Sequence, residues 1–136
     1  IIYPGDPVRL YAAGSPFVVK LANGEPIIGT TTQVIGIAAS TSTNTSAVAG
    51  TVKVYIPLPG TVYSCKATTL TNVDTASELN ALVGDRVAFD LSTATFTVDE
   101  NEGDTASLGL QIVGGDYRNG DVYFIIRPAA TEGPVA

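Results

Sequence analysis

The side chain best suited to covalent chemistry in this sequence is the thiol of Cys65, the only cysteine among 136 residues. A cysteine nucleophile needs a neighbouring base, and the usual base, histidine, is absent from the sequence. A lone cysteine also forms no disulfide within its own chain. Because free cysteine is among the most buried residue types, we expect Cys65 to be a small core residue on a strand. The alternative is a reactive thiol.

The second candidate for chemistry is an acidic run, Asp99–Asp104, with the sequence DENEGD. Its beginning resembles a calcium-binding loop, in which oxygen ligands recur at alternate positions. Such a loop ends on a bidentate carboxylate, and residues 105–111 contain no carboxylate. We therefore expect no bound metal and no other cofactor, and we interpret the run as a solvent-exposed hairpin tip between two strands.

Other catalytic arrangements find little support in the sequence. Three aspartates that could pair for acid–base catalysis, Asp85, Asp90 and Asp116, lie near turns, where capping and turn formation account for them. The Gly114-Gly115 pair precedes no predicted helix, so it does not form a phosphate-binding loop. Tryptophan is absent, and the six tyrosines are dispersed, whereas a sugar-binding surface needs grouped aromatic rings. We expect no catalytic residue and no enzymatic activity.

Composition favours a protein partner over nucleic acid or a membrane. The formal net charge is −6 and the seven basic residues are scattered singly, so the sequence forms no basic patch for nucleic acid. No apolar stretch approaches the roughly 20 residues of a membrane-spanning helix. Charged residues make up only 15% of the chain, which leaves uncharged surface for a partner to cover. Because the sequence starts with Ile1 and lacks Met, we expect the start of the gene product to precede it.

Alternation of apolar and polar residues with a period of two dominates the sequence and predicts strands. We expect an all-β protein of eight to ten short strands and one short helix, folded as a compact β-barrel or sandwich in a single domain, 1–136. Asn23-Gly24 predicts a hairpin turn, and the last strand is expected to be covered on both faces. The predicted strands are Pro7–Ala13, Phe17–Leu21, Pro26–Thr31, Gln33–Ala39, Thr51–Ile56, Thr61–Ala67, Arg86–Leu91, Ala94–Val98, Ser107–Val113 and Asp121–Arg127.

The single predicted helix begins after Thr75, where Thr75 and Glu78 fit a capping box. Leu79, Leu82 and Val83 then form an apolar stripe at helical spacing. Gly84 is suited to end the helix in a left-handed conformation. About two turns are too short to be stable alone, so the helix is expected to pack on the sheet.

The N-terminus is the candidate partner-contact site. Ile1, Ile2, Tyr3 and Pro4 belong to an extended arm, 1–7, that is apolar without a core pattern. Such an arm can dock on a neighbouring protein by adding a strand, or it can pair within its own domain. Both alternatives stay open at the level of the sequence.

Two further segments have no regular pattern. Residues 40–50, STSTNTSAVAG, carry no charge and no apolar periodicity, which is typical of a mobile surface loop. Loops of this kind also serve as partner contacts. Asn44-Thr45-Ser46 matches the short glycosylation sequon. The C-terminal tail, 128–136, consists of small residues and proline and is expected to be extended.

Five short strand-like strings stand out along the chain. They are GDPVRL at 5–10, IGIA at 35–38, GTVKVYIP at 50–57, SLGLQIVGGD at 107–116 and DVYFIIR at 121–127. Together they resemble the small decoration, or cement, proteins of tailed-bacteriophage capsids. Members of that family commonly open with a G-D-x-V-x-L strand, continue to an I-G-I/V-A strand, and reach a V-x-V strand through residues rich in Ala, Thr and Gly, as the first three strings do, and the last two strings have a similar character.

The resemblance implies a β-barrel-like virion structural protein on the outer capsid surface. Such a protein binds major capsid protein subunits, assembles as a homotrimer and stabilises the shell, and the family supplies no catalytic residue to carry over. Two alternatives remain, a bacterial cell-surface, adhesin or fibre β-module and a carbohydrate-binding module or small enzyme. A secretion signal before Ile1 would favour the first, and carboxylates or exposed tyrosines gathered in one cleft would favour the second.

Overall fold

The computed structural model describes residues 1–12, 15–29 and 34–131. Parts of four sequence predictions lie outside these residues. They are the end of the first predicted strand at Ala13, the end of the third at Thr31, the beginning of the fourth at Gln33, and the last five residues of the C-terminal tail, 132–136.

The described residues form ten strands and one α-helix, which confirms the all-β prediction. In chain order these elements are β1 (Pro7–Leu10), β2 (Val18–Lys20), β3 (Gly36–Ala38), β4 (Val54–Tyr55), β5 (Tyr63–Lys66), α1 (Ala76–Leu82), β6 (Arg86–Val87), β7 (Phe89–Ser92), β8 (Thr95–Val98), β9 (Leu110–Asp116) and β10 (Asp121–Ile126). Short 3-10 turns occur at Leu70–Asn72, Glu100–Glu102 and Pro128–Ala130.

The strands form three antiparallel sheets. Sheet I has the order β2-β1-β3-β4, sheet II has the order β5-β10-β9-β6, and β7 and β8 form a separate hairpin. Among the described strands no closed barrel is present, so the sandwich half of the prediction is the one that fits. Sheet I therefore ends on two edge strands, β2 and β4.

The main core lies on one face of sheet II. Side chains of β10 alternate in burial, since Val122, Phe124 and Ile126 are buried while Tyr123 is 37% exposed. The prediction that this strand is covered on both faces is therefore wrong. Aromatic rings tie the hairpin to the sheet, because the Phe89 ring meets the Phe124 ring edge to face at 5.5 Å.

A smaller apolar cluster lies on one face of sheet I. Its buried members are Ile2, Val8 and Ala38, and partly buried Val52 and Val54 pack against them. Gly36 permits this arrangement, because a Cβ at that position would collide with the Val54 side chain and the Tyr55 carbonyl of the neighbouring strand. Glycine at this position therefore lets the two strands approach closely.

Most predicted strands are present in shortened form, and two predictions are wrong in connectivity. Asn23-Gly24 does form a turn, but β2 pairs with the preceding β1, so the turn makes no hairpin. In place of the predicted strand 26–31, the described residues contain only an isolated bridge from Ile27 to Leu108. Arg86 and Val87 belong to sheet II and not to the hairpin that follows them.

The helix begins as predicted and ends one residue earlier than predicted, at Leu82. The Thr75 hydroxyl accepts a hydrogen bond from Glu78 N at 3.2 Å, and Leu79 is buried against sheet II. Gly84, which follows the helix, has a φ of +96°, a conformation that glycine adopts without a steric penalty. Val83, predicted to extend the apolar stripe, is 47% exposed, because the helix ends at Leu82.

We predict that Thr75→Ala lowers the free energy of unfolding by about 1 kcal/mol, the usual effect of removing an N-cap acceptor. Chemical denaturation followed by circular dichroism measures the change. Thr75→Ser is the matched control, because it keeps the hydroxyl and should stay close to the parent. Equal stability of all three proteins would show that the cap contributes nothing.

Candidate functional site

The predicted contact residues of the N-terminus do not form a free arm. Ile2 N donates to Ser42 Oγ at 3.0 Å, and Ile2 O accepts from Ser42 N at 2.9 Å. The Ile2 side chain is 9% exposed and covers the apolar cluster of sheet I. The segment therefore pairs within its own domain, which was the alternative prediction.

Exposed side chains nevertheless remain at this end of the chain. Ile1 is 65% exposed and Tyr3 is 50% exposed, and Pro4 is exposed as well. The Tyr3 backbone is fixed, because its N–H donates to Asp6 Oδ2 at 2.9 Å. Partner contact through Ile1, Tyr3 and Pro4 stays a prediction, whereas Ile2 is used inside the domain.

The uncharged loop, 40–50, forms the outer part of a long hairpin between β3 and β4. Ala39 N donates to Lys53 O at 2.8 Å, and Thr43 N donates to Thr51 O at 2.9 Å. The Ser40 hydroxyl accepts from Lys53 N, also at 2.9 Å. We call this paired segment, 39–53, the hairpin stem. Its tip is exposed, so the prediction of a surface loop is confirmed, and its two arms are held together.

A groove of about 410 Å³ lies between the hairpin stem and β2. Its apolar lining includes Ile2, Phe17, Val18, Val52 and Val54. The polar lining consists of neutral side chains from Ser42, Asn44 and Thr51. None of the described residues that line this groove is charged.

An exposed apolar strip begins at the end of β4. Tyr55, Ile56, Leu58 and Val62 are 69%, 75%, 70% and 57% exposed, and we call these four residues the apolar strip. Tyr55 is the last residue of β4, and the other three belong to the connection from β4 of sheet I to β5 of sheet II. Large apolar side chains gathered on a surface mark contact sites more often than isolated ones do.

The charges of the chain are divided unequally between its two halves. Residues 66–136 contain eleven acidic and four basic side chains, whereas residues 1–65 contain two acidic and three basic ones. Between Pro26 and Cys65 the only charged residue is Lys53. Sheet I and the apolar strip therefore form a nearly neutral region, whereas the second half of the chain, residues 66–136, is acidic. Counting charge along the sequence would have revealed this division, whereas whole-chain composition concealed it.

Cys65 is placed on β5 as predicted, but it is half-buried rather than part of the inner core. Its Sγ donates to Phe96 O at 3.3 Å in a groove lined largely by aromatic and proline side chains. Burial raises the pKa of the Cys65 thiol, so the unreactive protonated form is favoured at neutral pH. This environment supports a packing role.

The acidic run is not the solvent-exposed hairpin tip that the sequence predicted. The strands on either side of it, β8 and β9, are not paired with each other. Glu100 is only 4% exposed, and its carboxylate accepts from Thr68 N at 2.9 Å and from Thr69 N at 2.7 Å. The run therefore fastens the connection that leads from β5 to α1.

Asp104, at the end of the run, is held by Arg86. The Arg86 Nε and Nη2 atoms donate to the two carboxylate oxygens at 2.7 and 2.8 Å, and Arg86 N donates to Asp104 Oδ1 at 2.9 Å. These hydrogen bonds lower the pKa of Asp104 from 3.8 to about 2. Partial burial, with Asp99 nearby, raises the pKa of Glu102. Among the described residues no group of acidic or cysteine side chains could hold a metal ion.

The remaining candidates for chemistry lie on separate elements. Asp85 follows α1, Asp90 is in β7, and Asp116 ends β9, where it accepts from Arg118 N at 3.0 Å as a turn-forming residue. Gly114 and Gly115 continue β9 and form no loop. Four of the six tyrosines are exposed, and they lie on different segments. They are Tyr3, Tyr11, Tyr55 and Tyr123.

In comparisons with known proteins, no protein-family model, no curated protein and no solved structure matches this chain. In the part of the chain that the structure describes, no helix is long and apolar enough to cross a membrane.

We predict that the Arg86–Asp104 pair makes the fold sensitive to strong acid. Because the pKa of Asp104 is lowered on folding, its contribution is complete above the unfolded value of 3.8 and is lost as the pH falls through about 2. Asp104→Asn should therefore be less stable than the parent at neutral pH, with the difference shrinking between pH 4 and pH 2. Thermal unfolding across that range measures it.

The matched control is Asp74→Asn, which alters an exposed carboxylate that forms no ion pair with the described residues. This variant should follow the parent at every pH. A difference between Asp104→Asn and the parent that is independent of pH would contradict the assignment.

Proposed function

We propose that this protein is a virion structural protein, a capsid decoration or cement protein that binds the outer surface of a viral shell and stabilises it. The nearly neutral region, formed by sheet I and the apolar strip, contacts major capsid protein subunits. The acidic second half of the chain faces the solvent. The resemblance of five strand segments to phage decoration proteins supplies the class of partner, and the protein acts by binding and without catalysis.

The observation that carries the proposal is the apolar strip. Ile56 and Leu58 are each at least 70% exposed, although the chain has a buried core that could have held them. Burying a side chain of this size contributes roughly 1.5–3 kcal/mol when it passes from full exposure to full burial. Covering the strip with a partner therefore stabilises the complex by a free energy that folding of the protein alone does not supply.

The division of charge supports the same orientation. A shell packed with nucleic acid presents its outer surface to solvent, and the acidic second half of this chain keeps that surface soluble. The neutral region contains one charged side chain between Pro26 and Cys65, so few charges have to be desolvated when a partner covers it.

Several weak contacts together give strong binding when one assembly makes all of them at once. The proposal includes the homotrimer that the resemblance implies, since three copies joined together bind their second and third subunits intramolecularly. A ligand that binds only the assembled shell also stabilises the shell by linkage. Native mass spectrometry of the purified protein tests the trimer directly.

The proposal predicts that shells assembled from the neighbouring major capsid gene resist heating better when this protein is bound. In binding assays on those shells, the double variant Ile56→Thr with Leu58→Ser should bind about tenfold or more weakly, because its exposed side chains lose apolar area. The matched control is Val113→Thr, which changes another exposed side chain, 42% exposed and on sheet II.

The N-terminus requires point variants, because deleting residues 1–7 would remove Ile2 from the cluster and Pro7 from β1. Ile1→Ser with Tyr3→Ser tests its exposed side chains alone. Shells that are equally robust with and without the protein, together with no binding of purified protein to empty shells, would refute the proposed function. The surface-module alternative would then lead.

A further inference from the structure

The outer edge of β4 presents unpaired backbone groups, as the hydrogen bonds of its neighbour show. Ala38 N donates to Asp6 O at 2.9 Å, and Ala38 O accepts from Gly5 N at 2.8 Å. The backbone N–H and C=O groups of Ala38 therefore both point away from β4. Ala38 pairs with Val54, and in an antiparallel ladder such a pair is of the non-hydrogen-bonded kind. Val54 N and O therefore point away from β3, towards the open edge.

The same alternation extends down the hairpin stem. Lys53 uses its backbone inside the stem, because Lys53 O accepts from Ala39 N and Lys53 N donates to Ser40 Oγ. Thr51 does so as well, through Thr43. Backbone groups of successive residues in an extended segment point in opposite directions. The N–H and C=O groups of Val52, which lies between Thr51 and Lys53, therefore point outward like those of Val54. No described residue pairs with this edge, since β4 is the last strand of sheet I.

The edge is also held in place before any partner arrives. The side chains of Val52 and Val54 pack against the cluster that contains Ile2. Their backbone groups are therefore fixed in an extended conformation, so a partner strand loses less conformational entropy on binding than it would on a flexible segment.

We propose that the open edge of β4 accepts an extended segment of the capsid partner, which continues sheet I by strand addition. This inference rests on the proposed function and specifies how the contact is made. Backbone N–H and C=O groups of Val52 and Val54 bond the added strand, and exposed Tyr55 and Ile56 contact its side chains.

Charge indicates the chemistry of that segment. Lys53 is the only charged side chain from Pro26 to Cys65, and it is exposed beside the edge. The added segment is therefore an apolar strand that carries one carboxylate opposite Lys53. A second copy of this chain fits the edge less well, because each copy has a net charge of −6 and each would bring its own Lys53 to the joint.

Amide hydrogen exchange tests the contact directly on the intact protein. The amides of Val52 and Val54 should exchange rapidly in the free protein and become at least tenfold slower when empty shells are added in excess. The amide of Val122, which lies in the interior strand β10 of sheet II, should be slow in both states.

Two variants separate the backbone contact from the side chain. Val54→Pro removes the outward N–H, and proline is tolerated on edge strands whose N–H faces solvent. Val54→Ala keeps the N–H and truncates the side chain. We expect shell binding to fall about tenfold for Val54→Pro beyond the effect of Val54→Ala, and Lys53→Glu should also weaken binding. Circular dichroism checks that each variant is folded.

Three results would overturn the inference. Bound protein whose Val54 amide stays unprotected would place the contact elsewhere and leave the proposed function standing. Protection that rises with protein concentration when no shells are present would make the occupant a second copy. Equal binding by folded Val54→Pro and Val54→Ala would show that the Val54 N–H makes no contact with the partner. Absence of shell binding by the parent protein would instead refute the proposed function itself.

Discussion

Backbone N–H groups that leave a strand ladder need another acceptor, and in this protein carboxylates supply it at one connection after another. Asp6 accepts from Tyr3 N, Glu25 from Ala22 N, and Asp104 from Arg86 N. Glu100 accepts from two consecutive residues of one connection. Several strands here have only two to four residues, so ladders alone leave long stretches of backbone unpaired. The carboxylates satisfy that backbone, which is why much of the acidic character is structural.

Glu25 shows how one residue joins separate sheets. It is 8% exposed, and its carboxylate accepts a hydrogen bond from Arg9 Nε of β1 at 3.0 Å. Its backbone oxygen accepts from Phe89 N at 2.9 Å, at the start of β7. A buried charge left without its partner destabilises a fold strongly. Sheet I and the hairpin are thus coupled through the side chain and the backbone of a residue that belongs to neither.

The features that the sequence predicted are those decided by neighbouring residues. The helix cap joins Thr75 to Glu78, and the β7–β8 hairpin closes over two residues, so short-range rules apply. The sequence left the pairing of the N-terminal segment open and mispredicted the acidic run, because the partners of both segments are distant. Ile2 bonds Ser42, 40 residues away, and Glu100 bonds Thr68, 32 residues away. The same contrast between local and long-range features applies to the candidate site. Composition indicated uncharged surface, but the apolar strip could be located only once β4 was known to be an edge.

The hairpin stem has a practical consequence for display of foreign peptides. Bonds between Ala39 and Lys53 and between Thr43 and Thr51 fix both arms of the stem well before the exposed tip around Ala47 and Val48. Lengthening a flexible loop costs only about 0.6 kcal/mol for each doubling of its length, provided that its ends are already held. The tip is therefore a natural insertion point for an epitope or an enzyme tag. A cargo placed there would leave the paired arms of the stem and the strands of sheet I beneath it undisturbed.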